Sequence, residues 1–456
     1  MKTLHMISLG CPKNLVDSEV MLGSLEAAGY RVSEDPAAAD VLLVNTCGFI
    51  QSAVEEGIEA IMELLPLKQQ DPGKLLVVTG CMVQRYGDAL VGELPEVDLF
   101  IGTEGFHQIV LRIDEALHGS RRPPLNLAQP SYLMDTATPR RISTPAHRAW
   151  LKITEGCNNR CSYCMIPAIR GPLRSRSLAD LVAEAQRLEA GGVRELTLIA
   201  QDTTAYGIDL IGGKPLLSDL LHALLADTAI PWIRMLYLQP KRIDDRLLRA
   251  IAEHPRLLPY FDIPLQHISG RILQLMNRHY DRAFIDSLLT RVRETVAGAV
   301  LRTSLMVGFP GEGAAEFAEL EEAVHRYRFD HLGVFAYSNE EGCRAATLAD
   351  HVGDGEKERR RERIMTLQAA VSAEKNREKV GRHYEVLVEG LSRESDLLLE
   401  GRTREQAPEI DGCVYITDGE GRPGELVTVR ITEAHPYDLV GEIVADGGGT
   451  GNEKAG

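Results

Sequence analysis

The sequence predicts an α/β protein made of three units: an open parallel α/β sheet, a partial (β/α) barrel and a small β-barrel. Short apolar runs alternate with helical patterns through the first 119 residues, and such alternation builds a parallel sheet flanked by helices. Six further apolar runs, again separated by helical patterns, recur between 148 and 355. Beyond 381 the pattern changes to short runs broken by glycine turns, as in small all-β barrels. At 456 residues the chain is also too long for one ordinary domain.

In the first unit, residues 1–119, the apolar runs 4–9, 41–46 and 75–79 read as buried parallel strands, with helices near 15–28 and 52–65. A linker is expected over 120–147, where Pro123, Pro124, Pro130, Pro139 and Pro145 interrupt the pattern. The second unit, 148–355, carries runs at 150–154, 195–200, 232–238, 260–265, 300–308 and 331–336. Leu178, Leu181, Val182, Ala185 and Leu188 fall on one helical face behind the N-cap Ser177. Six strand–helix repeats predict a partial or full parallel barrel, with chemistry at the carboxyl ends of its strands. Residues 356–380 open on a charged run that reads as a solvated linker helix with i,i+4 ion pairs. The third unit spans 381–446, and the glycine-rich 447–456 is expected to be a disordered tail.

Net charge is −16, with 44% hydrophobic and 25% charged residues. That balance suits a soluble globular protein and disfavours a nucleic-acid binder, which needs a basic face. The third unit is more acidic still, with 15 Asp+Glu against 6 Lys+Arg. No signal peptide or membrane span is evident, so a cytoplasmic location without membrane association is expected. In a reducing cytosol, cysteines at 11, 47, 81, 157, 161, 164, 343 and 413 suggest metal binding before disulfides.

Cys157, Cys161 and Cys164 form C-x3-C-x2-C directly after a strand and Gly156. Three thiolates on one loop suit a soft metal centre, and structural zinc would want a fourth ligand that the neighbourhood lacks. On a 4Fe–4S cubane, three ligands leave one iron open to chelate S-adenosylmethionine. With Tyr163 before the last cysteine, the spacing resembles the radical-SAM superfamily, in which the residue at the Tyr163 position contacts adenine. Cys11, Cys47 and Cys81 lie far apart in sequence, yet each follows an apolar strand by one or two residues. Parallel strands end on one edge of a sheet, so these loops can meet. Gly10, Gly48 and Gly80 adjoin them and permit tight turns. A second three-cysteine cluster is expected, its free iron holding sulfur.

Ser8-Leu9-Gly10-Cys11-Pro12-Lys13-Asn14, Asn45-Thr46-Cys47-Gly48-Phe49-Ile50 and Gly80-Cys81 resemble the methylthiotransferase family's amino-terminal domain. Glu155-Gly156-Cys157-Asn158-Asn159-Arg160-Cys161-Ser162-Tyr163-Cys164 and Ile169-Arg170-Gly171 resemble its radical-SAM loop, and the third unit stands where the family has its TRAM domain. One branch of the family modifies tRNA adenosine; another modifies an aspartate of a small-subunit ribosomal protein, protein twelve. Pro12-Lys13-Asn14-Leu15 is similar to the second branch, as are Asp262-Ile263-Pro264-Leu265-Gln266-His267 and Gln201-Asp202-Thr203-Thr204-Ala205-Tyr206-Gly207. An acidic third unit would repel tRNA and attract a basic ribosomal protein.

The resemblance implies two 4Fe–4S clusters, ligated by Cys11, Cys47 and Cys81 and by Cys157, Cys161 and Cys164, with two S-adenosylmethionine molecules consumed. One methylates sulfur at the first cluster. The other supplies, at the second, a radical that takes hydrogen from the aspartate β-carbon, which then collects the methylthio group. A flavodoxin- or ferredoxin-like donor must supply electrons, and direct tRNA binding is not expected. Tyr163, Gln201, Gly308 and Glu312, at strand ends or in the cluster loop, are the candidate cofactor contacts beyond the cysteines. Glu312 also suits a helix N-terminus, and Arg170, Arg174 and Arg176 could meet a carboxylate, although loop arginines are more often solvated and these are not ranked as catalytic. Cys343 stands where the ribosomal branch usually has threonine and reads as a small packed side chain, as does Cys413. A tRNA methylthiotransferase and an iron–sulfur carrier are the alternatives.

Overall fold

The computed structural model describes residues 2–118, 125–210 and 212–444. The first unit is a six-stranded, all-parallel sheet in the order Arg31–Val32, Thr3–Ser8, Val41–Thr46, Leu75–Gly80, Leu99–Ile101, Leu125–Asn126. Every residue of the two central strands is buried, as expected of strands covered on both faces. Helices Pro12–Ala27 and Gln51–Gln70 follow the first and third strands in chain order. Ser8 pairs with Asn45, Asn45 with Thr79 and Thr46 with Gly80, so the three strands that precede the cysteines end level.

The second unit is a partial barrel. Arg148–Lys152, Glu195–Ile199 and Trp232–Met235 form one parallel sheet; Tyr260–Asp262, Val300–Val307 and His331–Ala336 form another. A parallel bridge between Ile233 and Leu257 stitches the two. Leu178–Ala190 begins at Ser177, whose side chain accepts from the Asp180 N–H, as the sequence predicts.

The segment expected as a linker is pinned where it is described. Arg140 joins Glu19 to Glu184 through buried contacts of 2.6 Å, and Ser143 donates twice more to Glu19. Residues 119–124 lie outside the described residues, as does the tail expected over 447–456.

The charged helix, Asp354–Arg377, is not a solvated linker. Lys357, Arg360, Ile364, Gln368, Val371, Ser372 and Asn376 are buried against the barrel. Its buried polar residues are taken up in packing: Gln368 donates to the Phe329 carbonyl at 2.9 Å and Arg360 to Glu312 at 2.6 Å. A narrow buried stripe is easily hidden in a sequence so rich in charge.

The third unit closes as a five-stranded barrel from His383–Leu391, Leu399–Thr403, Val414–Asp418, Leu426–Ala434 and Leu439–Ile443 around Val386, Val388, Val414, Ile416, Val429, Ile431 and Leu439. It docks on the amino-terminal ends of the central strands, away from the cysteines. Arg402 pairs with Glu195 and Glu389 at 2.5 Å, Trp232 donates to Glu385 at 2.9 Å and Tyr260 to Asp411 at 2.5 Å. Part of the unit's acidity is therefore spent on docking.

Candidate active site: two cysteine triads

Cys11 is the N-cap of helix Pro12–Ala27; Cys47 and Cys81 each follow directly on a strand of the same sheet. The glycines are required by crowding. Gly10 has φ +91°, and a Cβ there would stand 2.8 Å from the Cys47 Cβ. Gly80 has φ +103°, and a Cβ would come within 2.4 Å of the Asn45 side chain. Asn14 and Asn45 lace the edge together: Asn14 donates to the Leu9 carbonyl at 2.7 Å, and Asn45 to the Asn14 carbonyl at 3.0 Å.

The second triad lies on the loop after Thr154–Glu155, a short strand paired with Arg174–Ser175. Cys157 N–H donates to the Gly171 carbonyl at 3.1 Å, Ser162 N–H to Met276 at 3.0 Å and Ala345 N–H to Ser162 at 2.7 Å. Asn159 donates to Asp202 at 2.7 Å. The loop is thus fixed from four directions, as a preorganised ligand set requires.

Charges join the two triads. Arg170, 3% exposed, donates to the Cys81 Sγ and to Asn14 at 3.0 Å each, and it pairs with Asp17. Lys152, on the first barrel strand, pairs with the same Asp17 and with Glu155 at 2.9 Å; Gln201 donates to Glu155 at 2.8 Å. Lys13 sits 3.4 Å over the Tyr237 ring at the barrel mouth, where Tyr237 adopts φ 62°. Farther along, Glu340 meets Arg85 at 2.7 Å and accepts from the Gln51 N–H at 2.9 Å. These contacts hold the sheet edge against the carboxyl ends of the barrel strands.

Burial pushes Cys47 up and Cys81 up to about 12; it opposes ionisation of Cys11 too, but Lys13 and Arg170 outweigh it and hold that thiol below its usual value. Burial also lifts Cys157 to about 11 and Cys164 to about 12, with Cys161 adding to both. Glu155 is held down to about 2, burial being overcome by Lys152 and Arg170. Such thiols ionise when a soft metal replaces their protons.

Among the described residues, no three His, Cys, Asp or Glu side chains converge to grip a single metal ion. A cubane asks for a wider spread, since each thiolate takes a different iron. Three soft donors per site, with a cation against one of them, fit that group.

Tyr163 packs edge-on to Phe309 at 6.4 Å, and Phe309 edge-on to Tyr337 at 5.3 Å. The buried Oε1 of Gln201 has no hydrogen-bond partner among the described residues. Gly308 and Glu312, by contrast, are engaged with each other and with the carboxy-terminal helix. Glu312 is 3% exposed, accepts from the Gly308 N–H at 3.0 Å, lies 3.3 Å from His267 and pairs with Arg360. A Cβ at Gly308 would stand 2.3 Å from the Lys357 side chain. Both shape the turn under the carboxy-terminal helix. Arg170 is likewise not solvated, nor is Arg176, which pairs with Glu184 at 2.5 Å. Sequence reasoning missed Asp17, Lys152 and Glu155; the one available signal was a lysine inside the apolar run Trp150-Leu151-Lys152-Ile153.

The partial barrel and its three-cysteine loop define a radical-SAM protein. Family comparison agrees: Radical SAM superfamily matches 151–324, Uncharacterized protein family UPF0004 matches 3–102, and TRAM domain matches 380–444. The chain belongs to the family of ribosomal protein uS12 methylthiotransferases called RimO. It is 51% identical over 441 residues to the one from Desulfotalea psychrophila, covering 97% of this chain and 99% of that protein. It is 52% identical to that from Anaeromyxobacter sp. (strain K), covering 97% and 93%, and 47% identical to that from Geobacter sulfurreducens, covering 97% and 98%. The fold is shared with the radical SAM methyltransferase TsrM from Kitasatospora setae, with TM-score 0.54 and 17% identity over 73% of each chain. The expected cofactors, 4Fe–4S clusters and S-adenosylmethionine, stand with this membership.

Proposed function

We propose that the protein transfers a methylthio group to the β-carbon of an aspartate in ribosomal protein uS12, with Cys157, Cys161 and Cys164 holding one 4Fe–4S cluster and Cys11, Cys47 and Cys81 the other. One observation carries the reading: the strands before Cys11, Cys47 and Cys81 end level in one sheet, and Arg170 of the radical-SAM unit bonds the sulfur of Cys81. A lone radical-SAM loop would serve many reactions; a second triad locked beside it serves sulfur transfer.

When bound, the clusters and S-adenosylmethionine supply one-electron cleavage of a carbon–sulfur bond and a site for methylated sulfur. The chain's own residues set where this happens. Arg170 places positive charge against three anionic sulfurs, and Asp17 shares it with Lys152. Tyr163 offers an aromatic face to adenine, and Gln201 presents a free acceptor. Glu340, Arg85 and Gln51 fix the spacing between the units, and so would set how far apart the two triads hold their clusters. A flavodoxin- or ferredoxin-like carrier supplies electrons, in the cytoplasm. No described helix is long and apolar enough to cross a membrane.

Incubating the anaerobically reconstituted protein with S-adenosylmethionine, a reductant and uS12 tests the reading. Methylthio-aspartate in the peptide digest supports it; methylthio-adenosine in tRNA with unmodified uS12 overturns it. An iron–sulfur carrier would give no deoxyadenosine at all.

A further inference from the structure

Beside Cys161 lies a groove of about 460 Å³ whose lining holds Arg160, Lys241, Arg242, Arg278 and His279 and no carboxylate. In a chain of net charge −16 this concentration of cations is anomalous. Only Arg242 is ion-paired among the described residues, to Asp202 at 2.7 Å. Arg278 is 6% exposed, so its charge is fixed in place; it donates to the Pro264 carbonyl and to Gln239. Arg160, Lys241 and His279 are exposed. Within the chain Arg278 faces the Cys161 sulfur, whereas the exposed cations Arg160, Lys241 and His279 have no carboxylate partner among the described residues and are free to meet an anion from outside.

We propose that this groove is the docking surface for an acidic one-electron carrier protein, which delivers the electron to the cluster of Cys157, Cys161 and Cys164 by way of Cys161, a residue of the groove's own lining. The inference rests on the cluster assignment above and names the partner of that same site. Charge complementarity selects the occupant: a basic ribosomal protein is repelled here, while an acidic redox protein is steered in. Transient electron-transfer pairs need little buried area, which suits a small charged groove. With a flavodoxin the step balances: the anionic flavin hydroquinone loses one electron to become the neutral semiquinone, the cubane gains it, and no bond or proton moves. RNA, the other polyanion, has no electron to give and meets an otherwise acidic molecule.

The test uses the reconstituted holoenzyme carrying Lys241→Glu and His279→Glu, which spare the cluster loop, with Arg363→Glu, a charge reversal outside the groove, as the control. A bacterial flavodoxin in its hydroquinone form is the probe. Its affinity by calorimetry and its rate of cluster reduction by stopped-flow absorbance should each fall about tenfold or more, with a shallower salt dependence, and the control should match the parent. Dithionite, small and needing no docking, should still drive deoxyadenosine formation in every variant. Parent-like flavodoxin binding and reduction in the double variant overturn the proposal, as does loss of binding to an RNA oligonucleotide instead. If dithionite yields no deoxyadenosine even in the parent, the cluster assignment itself has failed.

Discussion

The two cysteine triads reach one kind of ligand set by opposite routes. Cys157, Cys161 and Cys164 are neighbours in sequence on one loop of one unit, which bonds to Gly171, Asp202, Met276 and Ala345 of that same unit hold in place. Cys11, Cys47 and Cys81 meet only because three strands end level, and one of their sulfurs is held by an arginine from another unit. A local site survives damage elsewhere; a distributed site inherits every weakness of the fold that assembles it.

The comparison breaks most sharply at the cysteines. Cys157→Ala should abolish deoxyadenosine formation. Cys47→Ala should leave it near the parent level while methylthio transfer disappears; equal loss of both products would refute the division. Arg170→Met comes next. It leaves Asp17 short of a buried counter-ion, at a cost of about 3–5 kcal/mol by denaturant unfolding. The iron bound by the first triad should fall while the second keeps its own. Glu340→Gln weakens the buried contact to Arg85 and should cost less, about 1–3 kcal/mol. Its signature is uncoupling: deoxyadenosine is still made, and the fraction ending in methylthio product drops several-fold.

The smallest effect lies at the far end of the barrel. Glu389 is held down to about 2, burial being overcome by His147, Arg402 and Arg148. Its folded value is below the unfolded one of about 4.3, so its stabilisation is complete above that pH and is lost as pH falls toward 2. Glu389→Gln should flatten this acid limb of stability, and the iron content of both triads should be unchanged.

Elements that repeat along the chain were legible. Strand–helix alternation placed the three strands that precede Cys11, Cys47 and Cys81 within a residue or two, though not the short strand Arg31–Val32, and C-x3-C-x2-C declared itself. The first triad was legible too, because a cysteine just past each strand is a topological statement. Charged partners far apart in sequence were not: Asp17 and Lys152 are 135 positions apart, and nothing local in either announces the other. Composition misled twice. The helix Asp354–Arg377 looked solvated because its few buried residues are swamped by charge, and the acidic third unit hid the carboxylates it spends on docking. Gly308 and Glu312 mark a strand end, where sites lie, and the contacts they make within the chain are those of the turn.

Iron and sulfide counting, with Mössbauer spectra, on the anaerobically reconstituted parent and on the Cys11→Ala, Cys47→Ala, Cys81→Ala triple variant bears most directly on the first triad. The parent should hold about eight irons and the variant about four, both as cubane signals. Four irons in the parent, unchanged in the variant, would mean that Cys11, Cys47 and Cys81 hold no cluster.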